Sequence, residues 1–169
     1  MKSLVTILFF WLVGIVCAAQ ACEVIDDTGR IVKLSQPAKR IISLAPDLTE
    51  LLFAAGAGDR VIGVMRGSDY PLQVKKIPVV ADFNHVDAEK ILLLHPDLIV
   101  VWAEGSIPAQ LKMLNIPVYL SRQKKLLDIP KTLQRFGCLA GTEKTANEVA
   151  EKFIRRYDAL QKNILIRKK

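Results

Sequence analysis

Leu98-Ile99-Val100-Val101-Trp102 is a run of five apolar residues without a polar one among them, set between His95-Pro96-Asp97 and Ala103-Glu104-Gly105. A strand with one face in water alternates apolar and polar side chains, whereas an unbroken run has to be covered on both faces. A parallel sheet sandwiched between helices provides that cover. Parallel neighbours also need crossover connections, so the run commits its surroundings to an alternation of strands and helices.

The rest of the chain reads accordingly. Arg40-Ile41-Ile42-Ser43-Leu44 is a second buried-strand run, followed by Ala45-Pro46. Asp47-Leu48-Thr49-Glu50 reads as an N-cap with an acid three residues later, Leu51, Leu52 and Ala55 continue the helix, and Gly56 closes it. Residues 60–64 and 79–80 read as strands, and Asp87 as the cap of a helix over 88–94 that stops before Pro96. A helix over 109–114 and a strand over 117–120 follow, and 22–26 with 30–34 read as a hairpin around Asp27-Thr28-Gly29. A helix from Asp128 carries Pro130 in its first turn and ends at Gly141. From Thr142, Ala146, Val149, Ala150, Phe153, Ile154, Tyr157, Leu160 and Ile164 recur at helical spacing, a rod of roughly 36 Å at 1.5 Å per residue. A helix that long normally spans to something further. The expected fold class is α/β: a single Rossmann-like lobe with a mostly parallel sheet flanked by helices, then a long C-terminal helix.

The N-terminus carries a different signal. Met1-Lys2-Ser3 is a short basic start, Leu4 to Val16 is almost wholly apolar, and Ala19-Gln20-Ala21 supplies small residues. That is the layout of a secretory signal peptide cut after Ala21, with an apolar core short of the roughly 20 residues of a membrane span. The expected divisions are 1–21 as signal peptide, 22–141 as the lobe and 142–169 as the long helix, with a periplasmic location. Cys22 would be the first residue of the mature chain, so a lipid anchor at Cys22 is the alternative, although lipoproteins usually carry a larger aliphatic residue where Ala19 stands. In an oxidising compartment Cys22 and Cys138 either pair or remain two free thiols, and the sequence leaves both open.

The pattern of reactive side chains points away from catalysis. No Gly-rich phosphate loop, Gly-x-Ser-x-Gly elbow or His-Glu-x-x-His is present, and His85 and His95 are the only histidines. His95 between a helix end and Pro96 suits a cap, and His85 near Asp82 and Asp87 is too thin for a metal site. No cofactor, no metal and no enzyme activity are expected. The net charge of +7 is scattered and lacks interleaved aromatics, so no nucleic acid is expected either.

What remains is a set of loops at the ends of the strands, where open parallel sheets bind ligands. They carry Pro46 and Asp47, Gly67-Ser68-Asp69-Tyr70-Pro71, Asp82-Phe83-Asn84, and Trp102-Ala103-Glu104-Gly105. Aromatic rings at a sheet edge suit a large flat ligand. Equally, Tyr70, Phe83 and Trp102 suit the role of covers over the end of the core.

Arg40 to Pro46, Thr49-Glu50-Leu51-Leu52-Phe53-Ala54-Ala55-Gly56, Ser68-Asp69-Tyr70-Pro71, and Glu89-Lys90-Ile91 with His95-Pro96-Asp97-Leu98-Ile99 together resemble the substrate-binding proteins of ABC importers for cobalamin, iron-siderophores and haem. The resemblance runs from about residue 23 to 165. It implies two α/β lobes joined by a long helix, with a large metal-chelate ligand held between them and an importer permease as partner. Only the first lobe and the joining helix are matched, which suggests a truncated member. The ligand-binding residues it implies are Pro46, Gly67, Tyr70, Phe83 and Trp102. Gly67 stands where the family has a cobalamin-contacting Tyr, and Tyr70 lies near the iron-ligating Tyr of haem-binding relatives, so cobalamin and haem both stay open as ligands. Glu89 matches an acid that docks on the permease, and an acid in a helix's first turn is also favoured by the macrodipole.

A ferric-siderophore ligand and a non-functional product of a split or frameshifted gene are the other readings. An unpartnered apolar face on the terminal helix would promote self-association. Intact-mass measurement of the secreted protein should show a chain starting at Cys22. Retention of residues 1–21 would overturn the signal peptide, and an added lipid mass would place the anchor at Cys22.

Overall fold

A computed structural model describes residues 21–103 and 109–167. Residues 1–20 of the expected signal peptide over 1–21, the loop residues Glu104 and Gly105, and the side chain of Ile164 lie outside what it describes.

Among the described residues, seven strands and five helices alternate as expected. The hairpin comprises β1 (Cys22–Ile25) and β2 (Ile31–Leu34). Then come β3 (Ile41–Ser43), α1 (Pro46–Ala54), β4 (Val61–Met65), β5 (Val79–Ala81), α2 (Ala88–Leu93), β6 (Leu98–Trp102), α3 (Ala109–Met113), β7 (Val118–Ser121), α4 (Asp128–Ala140) and α5 (Glu143–Arg167). Short 3-10 turns at Gly58–Arg60 and Leu72–Lys76 were not legible in the sequence. The five-stranded sheet has the order β5-β4-β3-β6-β7, and every neighbouring pair is parallel.

β3 and β6 lie side by side in the middle, and both are covered on both faces. Ile41, Leu98 and Val100 pack with α1, α4 and the hairpin on one side, while Ile42 and Ile99 pack with Ile91 of α2 and Leu111 of α3 on the other. Each of these residues is at most 1% exposed. Burying such a side chain is worth about 1.5–3 kcal/mol, so this pair anchors both layers.

α1 corrects the sequence reading. It starts at Pro46, with Ala45 in the N-cap position and no side-chain cap. Proline's fixed φ suits the first helical position, and that moves Asp47 from the cap into the first turn. Asp87 does cap α2, its carboxylate accepting from the Lys90 backbone N–H at 2.9 Å. His95 takes the left-handed position past the end of α2 (φ +44), and the Arg40 guanidinium donates to the freed carbonyl of Leu94 at 2.6 Å.

α4 and α5 form a close antiparallel pair. A Cβ on Gly137 would stand 2.5 Å from Ala146 Cβ, so the absence of a side chain there permits the helices to touch. Gly141 ends α4, the Thr142 N–H reaching back to the Gly137 carbonyl at 2.8 Å. Along α5, Ala146 and Ala150 are buried, Val149, Phe153 and Tyr157 are half-buried, and Ile154 and Leu160 are exposed. Cys22 of β1 and Cys138 of α4 form a disulfide with a Cα separation of 5.8 Å, tying the hairpin to α4.

The hairpin is fastened a second time by Asp26 and Asp27. Asp26 accepts from the Thr28 hydroxyl at 2.7 Å, the Thr28 and Arg30 backbone N–H groups at 2.9 and 3.0 Å, and Arg30 Nε at 3.0 Å. Asp27 accepts from the Arg122 N–H at 2.7 Å and pairs with Arg135, which also donates to the Tyr119 hydroxyl at 3.2 Å. Burial raises the Tyr119 phenol to about 12, and the Asp27 charge adds to that rise.

Burial alone would push the Asp26 carboxyl up, but the hydrogen bonds from Thr28 and Arg30 outweigh it and hold the carboxyl below its ordinary value. A lowered folded-state pKa means that Asp26 stabilises the fold fully above the ordinary carboxylate pKa of about 4 and loses that contribution as pH falls through and below it. Urea unfolding against pH should therefore decline more steeply below about pH 4 for the parent than for Asp26→Asn. Asp26→Ala should cost about 1–3 kcal/mol at pH 7 by leaving the Thr28 hydroxyl and the Thr28 and Arg30 backbone N–H groups without their acceptor, while the half-exposed Arg30 guanidinium turns to water. Parallel pH curves for parent and Asp26→Asn would rule out this role.

Candidate functional site

The chain runs from β3 outward to β4 and β5, then returns to place β6 on the other side of β3. Crossovers on the two sides of that pair leave the sheet in opposite directions, which opens a crevice at the carboxyl ends of β3 and β6. Pro46 follows β3, Trp102 ends β6, and Phe83 follows β5.

These three meet. Pro46, Phe83 and Trp102 line one cleft of about 640 Å³ together with Leu44, Met65 and Val101. Its wall is mostly apolar, with Asp47, Glu50 and Asp82 at its margins. Phe83 is 84% exposed and Trp102 49% exposed, so neither serves as a cover for the core. Large apolar rings held in water at a concave edge are the unusual observation, since their burial would be favourable.

The local backbone explains how Phe83 comes to stand there. Asp82 accepts from the backbone N–H groups of Asn84 and His85, both at 2.9 Å, while its own N–H donates to the His85 carbonyl at 2.8 Å. A tight turn results, with Phe83 at its tip. The two backbone donors, Asn84 first, hold the Asp82 carboxyl below its ordinary pKa.

The 66–71 loop is pinned from inside. Thr49 of α1 donates to the Ser43 hydroxyl at 2.8 Å and stands 3.3 Å from the Ser68 hydroxyl, so a buried chain of hydroxyls ties the loop to α1 and β3. Gly67 has φ +92, a conformation costly for any residue with a side chain. A Cβ there would stand 3.8 Å from Pro46 Cγ, which places Gly67 beside the cleft without filling it. Tyr70, 64% exposed, is outside the described walls of the cleft. Of the five ligand-binding residues expected from the sequence, the structure thus gathers Pro46, Phe83 and Trp102, sets Gly67 alongside, and leaves Tyr70 apart. Glu89 is exposed in the first turn of α2, away from the cleft.

Sequence reasoning missed a second cleft. Asp47, Glu50 and Trp102 also border a space of about 400 Å³ whose far wall is Ser121, Arg122, Gln123 and Ile129. Ser121 ends β7, in register with Trp102 on the neighbouring strand, so the loop after β7 belongs to the same sheet edge. Its position after a parallel strand was the available signal. Trp102 Nε1 donates to Asp47 Oδ2 at 3.0 Å between the two spaces.

Known proteins resemble the chain in sequence and in fold. The sequence pattern describing the periplasmic binding protein family matches residues 41–165. A vitamin B12-binding protein of Vibrio cholerae is 35% identical over 144 residues, which are 83% of this chain and 52% of that protein. The crystal structure of the periplasmic vitamin B12 binding protein BtuF of Vibrio cholerae is similar with a TM-score of 0.71 and 37% identity, over 75% of this chain and 51% of that one. A periplasmic haem binding protein from Pseudomonas aeruginosa is similar with a TM-score of 0.64 and 26% identity, over 70% of this chain and 44% of that one. The chain spans about half the length of the curated relatives it matches.

Proposed function

The chain belongs to the periplasmic binding protein family, a family of binding proteins and not of enzymes, and from that footing we propose that it supplies the first lobe of an importer's substrate-binding protein, capturing a cobalamin or related tetrapyrrole for delivery to an ABC permease. The observation that carries the reading is the apolar cleft at the β3–β6 crevice, where Pro46, Phe83 and the half-exposed Trp102 converge. A flat macrocycle covers such rings at little entropic cost, because each ring has only two rotatable bonds. The similarity to vitamin B12-binding proteins supports cobalamin. Tyr70 is the specific observation for haem: the residue is 64% exposed on the loop that carries Gly67, outside the cleft wall and accessible as an oxygen ligand to iron.

In this reading residues 22–141 form the lobe and the helix from 142 leads to a second lobe that closes over the ligand. A mature chain starting at Cys22, held by its disulfide to Cys138, fits an oxidising periplasm. The described residues give one wall. A ligand resting on one wall buries about half the surface it would in a closed site, and affinity follows burial and preorganisation.

Titrating the chain with cyanocobalamin and with hemin should therefore give binding in the micromolar range or weaker, followed by quenching of tryptophan emission. Preference between the two probes identifies the ligand class. Nanomolar binding by a verified monomer would falsify the one-wall geometry, and no saturable response to either probe would remove the tetrapyrrole reading.

Glu89 is the proposed contact with the permease. It stands exposed at the start of α2, whose Ile91 is fully buried beneath it, so a rigid surface presents the carboxylate outside both clefts. Charges at an interface rim mainly steer association and set orientation. In a chain that carries the second lobe, Glu89→Arg should weaken binding to the cognate permease several-fold, leave ligand affinity within error, and cost the fold no more than about 1 kcal/mol. Equal permease binding by mutant and parent would return Glu89 to a role in the helix start alone.

A further inference from the structure

Three residues are common to both clefts: Asp47, Glu50 and Trp102. The indole and the Asp47 carboxylate, joined at 3.0 Å, therefore form the ridge that divides the sheet edge into an apolar space on the Phe83 side and a polar space on the Arg122 side. Asp47 comes from α1 and Trp102 from the end of β6, so the bond also bridges the two elements that frame the crevice. The second carboxylate oxygen, Asp47 Oδ1, is buried without a hydrogen-bond partner. A carboxylate kept with one oxygen unsatisfied is spending its hydrogen-bonding capacity on the indole, where a solvated first-turn acid would turn both oxygens to water.

We propose that Asp47 is a positioning residue that fixes the Trp102 ring as the ridge between the two clefts. A half-exposed indole with no partner would sample several rotamers, and the ligand would have to select one. A charge-assisted hydrogen bond from its N–H selects it beforehand, and a ring set before binding loses less freedom on binding. The proposal rests on the reading of Trp102 as a ligand contact, and the bond itself is testable without any ligand.

Trp11 and Trp102 are the only tryptophans in the sequence, so Trp11→Phe in the full chain makes Trp102 the sole emitter. In that background Asp47→Ala removes the acceptor and the first-turn charge, whereas Asp47→Asn removes the charge and keeps an acceptor oxygen. Any contribution of the charge to helix α1 is lost alike in both. Acrylamide quenching of the ligand-free protein should rise by about twofold in Asp47→Ala, emission anisotropy should fall, and Asp47→Asn, with a neutral acceptor in place of the charged one, should lie between Asp47→Ala and the parent. Cyanocobalamin affinity should fall by about threefold to tenfold in Asp47→Ala, the range set by one immobilised side chain. In a Trp102→Phe background, which has no indole N–H, Asp47→Ala should change affinity no further.

Parental quenching in Asp47→Ala overturns the proposal. So does an Asp47→Asn protein that matches Asp47→Ala, or quenching that rises with affinity unchanged. A parent that binds neither cyanocobalamin nor hemin but still shows the quenching difference would overturn the ligand reading and leave the anchoring of the ring intact.

Discussion

The two-sided burial of β3 and β6 is the constraint from which the rest of the molecule follows. Ile41, Ile42, Leu98, Ile99 and Val100 leave no face of this pair for water, so helices have to lie on both sides. Parallel strands admit only crossover connections, and the chain makes its outward crossovers to β4 and β5 before returning beside β3 to lay down β6 and β7. The crevice where those crossovers diverge is thus a consequence of topology. A binding site there needs no special backbone, only side chains of the right kind at the strand ends.

The lobe holds its periphery by other means. β1 and β2 are a two-stranded hairpin, a unit marginal by itself in water. It is secured by the Cys22–Cys138 disulfide at one end and by the Asp26 and Asp27 carboxylates at the other, where Arg30, Arg135 and the backbone of β7 supply the donors. Closing a loop of 116 residues with one covalent bond restricts the unfolded chain strongly. Tyr119, fully buried in an edge-to-face contact with Phe136 at 5.4 Å, links this network to α4. Its hydroxyl would be an unsatisfied buried group without Arg135.

At the site itself the division of labour is between rigidity and exposure. Thr49, Ser43 and Ser68 spend their hydroxyls inside, and Asp82 spends its carboxylate on a turn, so that Phe83 and Trp102 can stand exposed on fixed backbone. Apolar area kept in water in this way is a standing cost to the fold, one that a ligand bound as proposed would relieve.

The sequence by itself determined the alternation of elements and hence the fold class, because periodicity and caps are local: the unbroken run 98–102, the Asp87 cap and the Gly141 stop each depend on neighbours a few residues away. It also named Pro46, Phe83 and Trp102, since residues after parallel strands reach one edge. Tertiary structure alone decided which of these meet. The Asp47–Trp102 bond spans 55 residues of sequence and the Asp27–Arg135 pair 108, and no local pattern marks either. Asp47 looked like a helix cap because its only legible neighbours were those in sequence. Proline at 46 moved the helix start by two positions, and that turned the Asp47 carboxylate from its own backbone toward an indole at the end of β6.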